Sequence, residues 1–222
     1  MKISNRLKLI ASFVDDNSYV IDVGCDHALL DIFLVQNKTN VKTIASDINE
    51  GPLEGARKNI ELYDLKDKIE IKLGDGISTI NKEVDTIVIS GLGGETIVDI
   101  LKEDINKLNN IKTMILSPHS DNYLVRKEIT KLGFKIENEI FTYDQKKPYV
   151  IIKFVKGTSN YSDDELYFGP VILKEKNEYF IKYYQELNNK NKKVLENIPL
   201  DNIEIRNKLE KEIERLDKIL NV

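Results

Sequence analysis

Through residue 132 this 222-residue chain repeats one pattern: a short β-branched run, then a longer stretch whose apolar positions recur every three to four residues. The short runs, 19–23 (YVIDV), 42–46 (KTIAS), 68–73 (KIEIKL), 84–90 (VDTIVIS) and 112–117 (KTMILS), predict strands. The helical spacings predict helices over 28–37, 50–63, 77–81, 93–109 and 120–132, with Pro52 in a first turn and Gly133 at a helix end. Strand-then-helix repetition means parallel strands joined by right-handed crossovers, hence an α/β, Rossmann-like doubly wound sheet. Two later runs, FKIENEIFTYD and PYVIIKFVK, are separated only by Gln145, Lys146 and Lys147, too few residues for a crossover. They predict an antiparallel hairpin at the sheet's edge.

The pattern changes after Gly157, where GTSNYSDDELYF is polar and turn-rich. The expected division is therefore residues 1–157 and 158–222. In the second part Leu173, Asn177, Phe180, Tyr184, Leu187, Asn191, Val194 and Ile198 are spaced as a heptad seam, which Pro199 ends. Leu209, Ile213, Leu216 and Leu220 resume the spacing, predicting an antiparallel helical hairpin packed seam to seam as a coiled coil. The two seam asparagines suit a register-fixing role, and the hairpin either serves structure and association or grips a substrate.

Composition narrows the setting. One cysteine excludes an internal disulfide framework, and MKISNRLKLIASFVDD has neither an apolar signal core nor a small-residue cleavage site. A cytoplasmic, soluble protein with no membrane partner is expected, as a monomer or weak dimer. The net charge of −4 excludes a broadly basic coat, and residues 157–222 carry 11 Lys and Arg against 13 Asp and Glu, so the tail is not a basic arm. Local basic clusters remain: Lys2, Arg6 and Lys8; Arg126, Lys127 and Lys131; Lys146 and Lys147; Lys190, Lys192 and Lys193. Two histidines and one cysteine form no ligand cluster, so no metal is expected.

The candidate chemistry lies at the strand ends, where open parallel sheets bind ligands. The first strand runs into VIDVGCDHALL, which has one glycine, Gly24, where a dinucleotide fold wants three. A pyrophosphate there would face Asp26 and Asp22, and like charges disfavour it. A ligand with an amine, a ribose and a sulfonium suits the same carboxylates, and S-adenosylmethionine has all three. Asp47 follows the second strand, where an acid accepts ribose hydroxyls; Ile48 beside it is assigned to the same ligand, and Asp47 also reads as a helix N-cap. After the third strand Asp75 is placed to accept from an adenine amine, with Gly74 and Gly76 admitting the ring. After the fourth, Gly91 and Gly93 in SGLGG open a slot beside the ligand. Both glycine sets also read as plain turns. Cys25 reads as a small buried residue in a turn, within the cofactor loop.

In a methyl transfer, positive charge passes from sulfur to the acceptor, and a fixed carboxylate favours that shift. Asp26 is the candidate catalytic group, or else an anchor for the donor's amine or a helix N-cap. His27 either stacks on or hydrogen-bonds the target base, or packs as a supporting group. His119, after the fifth strand, carries the same pair of readings.

In order along the chain, DVGCDHALL, SDINEGPLEGARKNI, GDG, ISGLGGETIVDIL and ILSPHSDNYLVRKEI resemble the bacterial tRNA adenine-22 N1-methyltransferases, the TrmK family, over about residues 3 to 155. The resemblance implies a seven-stranded class I methyltransferase sheet with an antiparallel last strand, a C-terminal coiled-coil extension, S-adenosylmethionine as methyl donor and tRNA as partner. It implies N1 of adenine 22 as the acceptor. One departure is visible: the family tends to carry Gln-Pro-Asn after the fifth strand, where this chain has Ser117-Pro118-His119.

Overall fold

The computed structural model describes residues 3–221. The chain forms two compact units, the first running to Val171 and the second beginning at Ile172. In the first, α1 (Asn5–Phe13) precedes β1 (Tyr19–Val23), α2 (Leu29–Asn37), β2 (Lys42–Asp47), α3 (Glu50–Leu62), β3 (Ile69–Leu73), β4 (Thr86–Ser90), α4 (Gly94–Glu103), β5 (Thr113–Ser117) and α5 (Asn122–Lys131). The hairpin β6 (Phe134–Asp144) and β7 (Lys147–Lys156) follows, then α6 (Asp163–Phe168). The seven-stranded sheet has the order β3-β2-β1-β4-β5-β7-β6. β1 to β5 pair in parallel, and β7 enters antiparallel between β5 and β6. Gln145 and Lys146, both left-handed with φ of 47° and 66°, make the tight turn that joins β6 to β7.

The central strands are buried on both faces, which is why they read as near-continuous apolar runs. The chain turns back at β1, whose neighbours are β2 on one side and β4 on the other. That is the switch point, and it opens a crevice beyond the strand ends.

Four local outcomes differ from the sequence pattern. Residues 5–13 form α1, which the strand-helix alternation does not announce; the Ser4 side chain caps it by accepting from Leu7 N–H at 3.2 Å. Residues 77–81 are a turn, because the segment is too short to repay helix nucleation. Lys107 Nζ instead donates to the carbonyls of Ile77 and Ser78. The expected 93–109 helix ends at Glu103, where Asp104 leaves helical geometry at φ −130° and ψ 66°. In the tail, Lys176 turns left-handed (φ 41°) and separates α7 (Pro170–Glu175) from α8 (Glu178–Asn197). Asn177 is therefore an N-cap, accepting from Phe180 N–H at 2.9 Å, and not a seam residue.

The first unit extends past the 157 boundary because a buried ion pair holds the following segment. Arg126 of α5 and Glu139 of β6 meet at 2.9 Å with side chains 1% and 0% exposed. Arg126 donates onward to the carbonyls of Leu166 and Tyr167 at 3.1 Å each, capping α6, and Glu139 accepts from Val171 N–H at 2.9 Å. Every strong donor and acceptor of the pair is thereby used, which is the condition for burying charge.

In the second unit α8 pairs antiparallel with α9 (Ile203–Leu220), as three contacts at successive levels show. Lys176 Nζ meets Ile219 O at 2.6 Å, Asn188 Nδ2 meets Asp217 Oδ1 at 2.6 Å, and Arg206 Nη1 meets Leu195 O at 3.0 Å. Asn188 and Asn191 are buried among Phe180, Ile213, Leu216 and Ile219, so polar groups do sit in this seam. Asp217, shared between Asn188 and Lys192 (2.7 Å), fixes which turns face each other. Among the described residues no helix is long and apolar enough to cross a membrane.

Candidate active site

The turn after β1 is the most strained stretch of the chain. Gly24 takes φ 77°, and Asp26, His27 and Ala28 follow at 32°, 67° and 56°, three consecutive left-handed residues that are not glycine. Each such residue costs roughly 1–2 kcal/mol and persists only where the surroundings hold it. Here they do. Gly24 and Cys25 N–H both donate to Ser46 O at the end of β2 (2.8 and 3.1 Å), and Ala28 N–H closes onto Cys25 O at 2.8 Å. Asn59 of α3 donates to His27 O at 3.0 Å, and the His27 ring occupies the space above Gly55, where a Cβ would lie 1.8 Å from Nδ1. The strain projects Asp26 outward, with 87% of its side chain exposed and one oxygen 3.6 Å from His27 Nε2.

This placement carries a prediction. Gly55→Ala is expected to cost about 1–3 kcal/mol in denaturant unfolding by driving the imidazole off α3. Adding His27→Ala should recover most of that loss in a double-mutant cycle. Strictly additive losses would show that the ring and α3 do not compete for this space.

Above the strand ends lies a cavity of about 360 Å³. Of the residues picked out by sequence, Asp22, Gly24, Cys25, Asp26, Asp47 and Gly91 line it together. A Cβ at Gly24 would meet nothing within 4 Å, so the turn leaves open space for a ligand. Asp47 lines the cavity and also accepts from Asn49 N–H at 2.8 Å, while Asn49 is the N-cap of α3. Outside the lining, Ile48 is 60% exposed beside Asp47. Asp75 and Gly76 follow β3, whose end is tied to β2 by Gly74 N–H to Asp47 O at 3.0 Å. Gly76 packs against Ile100, and Gly93 is the N-cap of α4. His27 faces α3 and not the cavity.

Sequence reasoning passed over several lining residues. Arg6 and Leu7 come from α1, Leu29 and Leu30 from α2, and Ser90 and Leu92 from the β4 end; His119 completes the wall, its N–H on Leu92 O at 2.9 Å. A signal for α1 was present: Ser4 precedes Leu7, Ile10, Ala11 and Val14, an N-cap before a helical stripe. Two basic clusters dissolve in three dimensions, since Arg126 is buried and Arg6 turns into the cavity. Lys2 lies outside the described residues.

Beneath the cavity two carboxyls are buried together. Burial, then the neighbouring Asp31, pushes Asp22 well above the usual carboxylate range, while Arg6 opposes the rise. Burial pushes Asp31 up to about 6, against hydrogen bonds led by that of Thr43. Cys25 is also buried, and desolvation followed by the Asp31, Asp22 and Asp47 charges pushes its thiol up, so it is a poor nucleophile.

The acid pair makes stability fall with rising pH. Between the ordinary value of 3.8 and about 6 the native state binds more protons through Asp31 than the unfolded chain does, so stability is lost across that window. Asp31→Asn is expected to remove that slope, gaining about 1–3 kcal/mol on wild type between pH 4 and pH 7 in denaturant titrations. Parallel pH profiles for the two proteins would refute the assignment.

The reversed β7 strand, the switch point at β1 and the carboxylates around an open glycine turn together define a Rossmann-like, S-adenosylmethionine-dependent methyltransferase. A family model described as tRNA (adenine(22)-N(1))-methyltransferase, TrmK, matches residues 20–218. The tRNA (adenine(22)-N(1))-methyltransferase of Bacillus subtilis (strain 168) is 31% identical over 195 residues, which cover 84% of this chain and 82% of the relative. A Streptococcus pneumoniae protein described as a tRNA (m1A22) methyltransferase, solved in complex with S-adenosyl-L-methionine, matches at a TM-score of 0.90 and 33% identity over 99% of this chain and 100% of its own. M. capricolum TrmK in complex with S-adenosyl-homocysteine matches at 0.88 and 29% identity, over 100% and 99%. The chain belongs to the TrmK family of tRNA (adenine(22)-N(1))-methyltransferases.

Proposed function

We infer that this protein methylates N1 of adenine 22 in tRNA. The observation that carries the reading is the family match over residues 20–218, which spans both the acidic cavity of the first unit and the helical pair of the second. When bound, S-adenosylmethionine supplies an electrophilic methyl group on a sulfonium. Asp47 accepts the ribose hydroxyls, Ile48 lies along the adenine face, and Asp75 accepts from the adenine amine. Gly24 lets the backbone approach the amino-acid end, with Gly91 and Gly93 leaving room across the cavity. The charge of Asp22 and Asp26 favours a cationic ligand over a pyrophosphate.

Adenine N1 carries a free lone pair at neutral pH, so the protein needs no strong base before attack. Alignment and water exclusion supply most of the rate, up to about 7–11 kcal/mol in well-oriented reactions. Asp26, projected by its strained turn, accepts from the exocyclic amine of the target base as positive charge develops there. N1 lies on the pairing edge, so the base must leave its stack, and the RNA must be held elsewhere through its phosphates. Exposed lysines at the β6–β7 turn, Lys146 and Lys147, and on α8, Lys190 and Lys193, are available for that.

Incubation with the methyl donor and unmodified tRNA, followed by digestion and mass analysis of nucleosides, should yield N1-methyladenosine mapped to position 22. Its absence with folded, donor-binding protein would overturn the reading.

A further inference from the structure

We propose that Arg6 is the anchor for the carboxylate of the methyl donor, and that Tyr149 is the positioning residue holding it there. The inference rests on the reading of the cavity as a methyl-donor site. It starts from an imbalance of charge. The lining carries Asp22, Asp26 and Asp47, and Arg6 is the one lysine or arginine among the described residues that joins them. S-Adenosylmethionine carries two positive groups, sulfonium and ammonium, and one negative group, its carboxylate. Three acids and one guanidinium are the complement of that ligand.

The geometry narrows the match to a single atom. Arg6 Nη1 is buried and has no hydrogen-bond partner, and no carboxylate of the described residues forms an ion pair with the side chain within 4.0 Å. A buried guanidinium nitrogen left unpaired costs free energy unless a ligand oxygen meets it. The guanidinium lies over the Tyr149 ring, 5.1 Å from its centroid, which holds the plane in place and away from the acids. An atom standing where Gly91 would carry a Cβ lies 3.9 Å from Nη1 and 3.8 Å from His119 Nε2, and Gly91 keeps that position empty with φ 85°. A carboxylate over Gly91 is thus within reach of the unpaired donor. It lies across the cavity from Asp47, where the ribose reading puts the other end of the donor.

The test compares two ligands by calorimetry: S-adenosylhomocysteine and its decarboxylated analogue, which keeps the adenosine, thioether and amine and lacks only the carboxylate. Wild type should prefer the first, and Arg6→Gln should weaken it by about 10- to 100-fold while leaving the analogue's affinity within about twofold. Arg6→Lys, which keeps the charge without the planar fork, should fall between, and Tyr149→Leu should produce a smaller loss confined to the carboxylate-bearing ligand. Equal losses for both ligands in Arg6→Gln would make Arg6 a structural residue and overturn the proposal. Unchanged affinity for S-adenosylhomocysteine with weakened tRNA binding would assign Arg6 to a phosphate, and also overturn it. A wild-type protein that does not distinguish the two ligands overturns it without any variant. A wild type that binds neither overturns the donor-site reading itself.

Discussion

Asp26→Asn is expected to bind S-adenosylhomocysteine with near wild-type affinity and to turn over tRNA about 10²–10³-fold more slowly, the scale on which fixed groups facing a developing charge act. The substitution is chosen for its backbone. Asp26 sits at φ 32° in a left-handed run, and asparagine tolerates that region as well as aspartate does, so the strained turn survives. What changes is the charge on a side chain that is 87% exposed toward the place where the acceptor must approach. An amide oxygen still accepts one hydrogen bond, but it no longer attracts positive charge leaving sulfur for the purine. Measured separately, ligand affinity and single-turnover rate divide the roles: loss of rate alone assigns Asp26 to the transition state, and equal loss of both makes it an anchor for the donor. Unchanged turnover would remove Asp26 from the mechanism.

Arg126→Ala is expected to cost about 3–5 kcal/mol of stability in denaturant unfolding, the range for removing one partner of a buried ion pair. The loss has three parts. Glu139 keeps its buried charge, the carbonyls of Leu166 and Tyr167 lose their donor, and a large volume empties between α5 and β6. Gly169 tightens the site further, since a Cβ there would lie 2.3 Å from Glu139 Oε1. The paired change Arg126→Met with Glu139→Leu should recover part of the loss, because no charge is then left buried. A single variant within about 0.5 kcal/mol of wild type would contradict this account, since shifts that small mark sites away from such features.

The sheet was readable because its physics is periodic. Buried parallel strands leave continuous β-branched runs, and the short interval at Gln145 to Lys147 allowed only a hairpin. The acidic turn was readable for a different reason: Asp22, Asp26 and Asp47 stand at strand ends, where topology alone brings them to one cavity. What escaped depends on contacts distant in sequence. Arg6 looks like one of several surface cations until α1 carries it to the wall beside Gly91. His27 looks like a group for the base until Gly55 is seen to make room for its ring. Arg126 looks like part of a basic face, and only Glu139, on the next strand, explains its burial.

The reversed seventh strand separates two kinds of change. β5 pairs with β7 only between Thr113↔Val155 and Leu116↔Ile152, whereas β6 and β7 stay paired out to Asp144↔Lys147. The hairpin therefore overhangs the rest of the sheet, with Tyr149 on its inner flank. Insertions at its tip can roof or unroof the entrance with the five parallel strands left alone, so the breadth of acceptors admitted can drift while the donor cradle stays fixed.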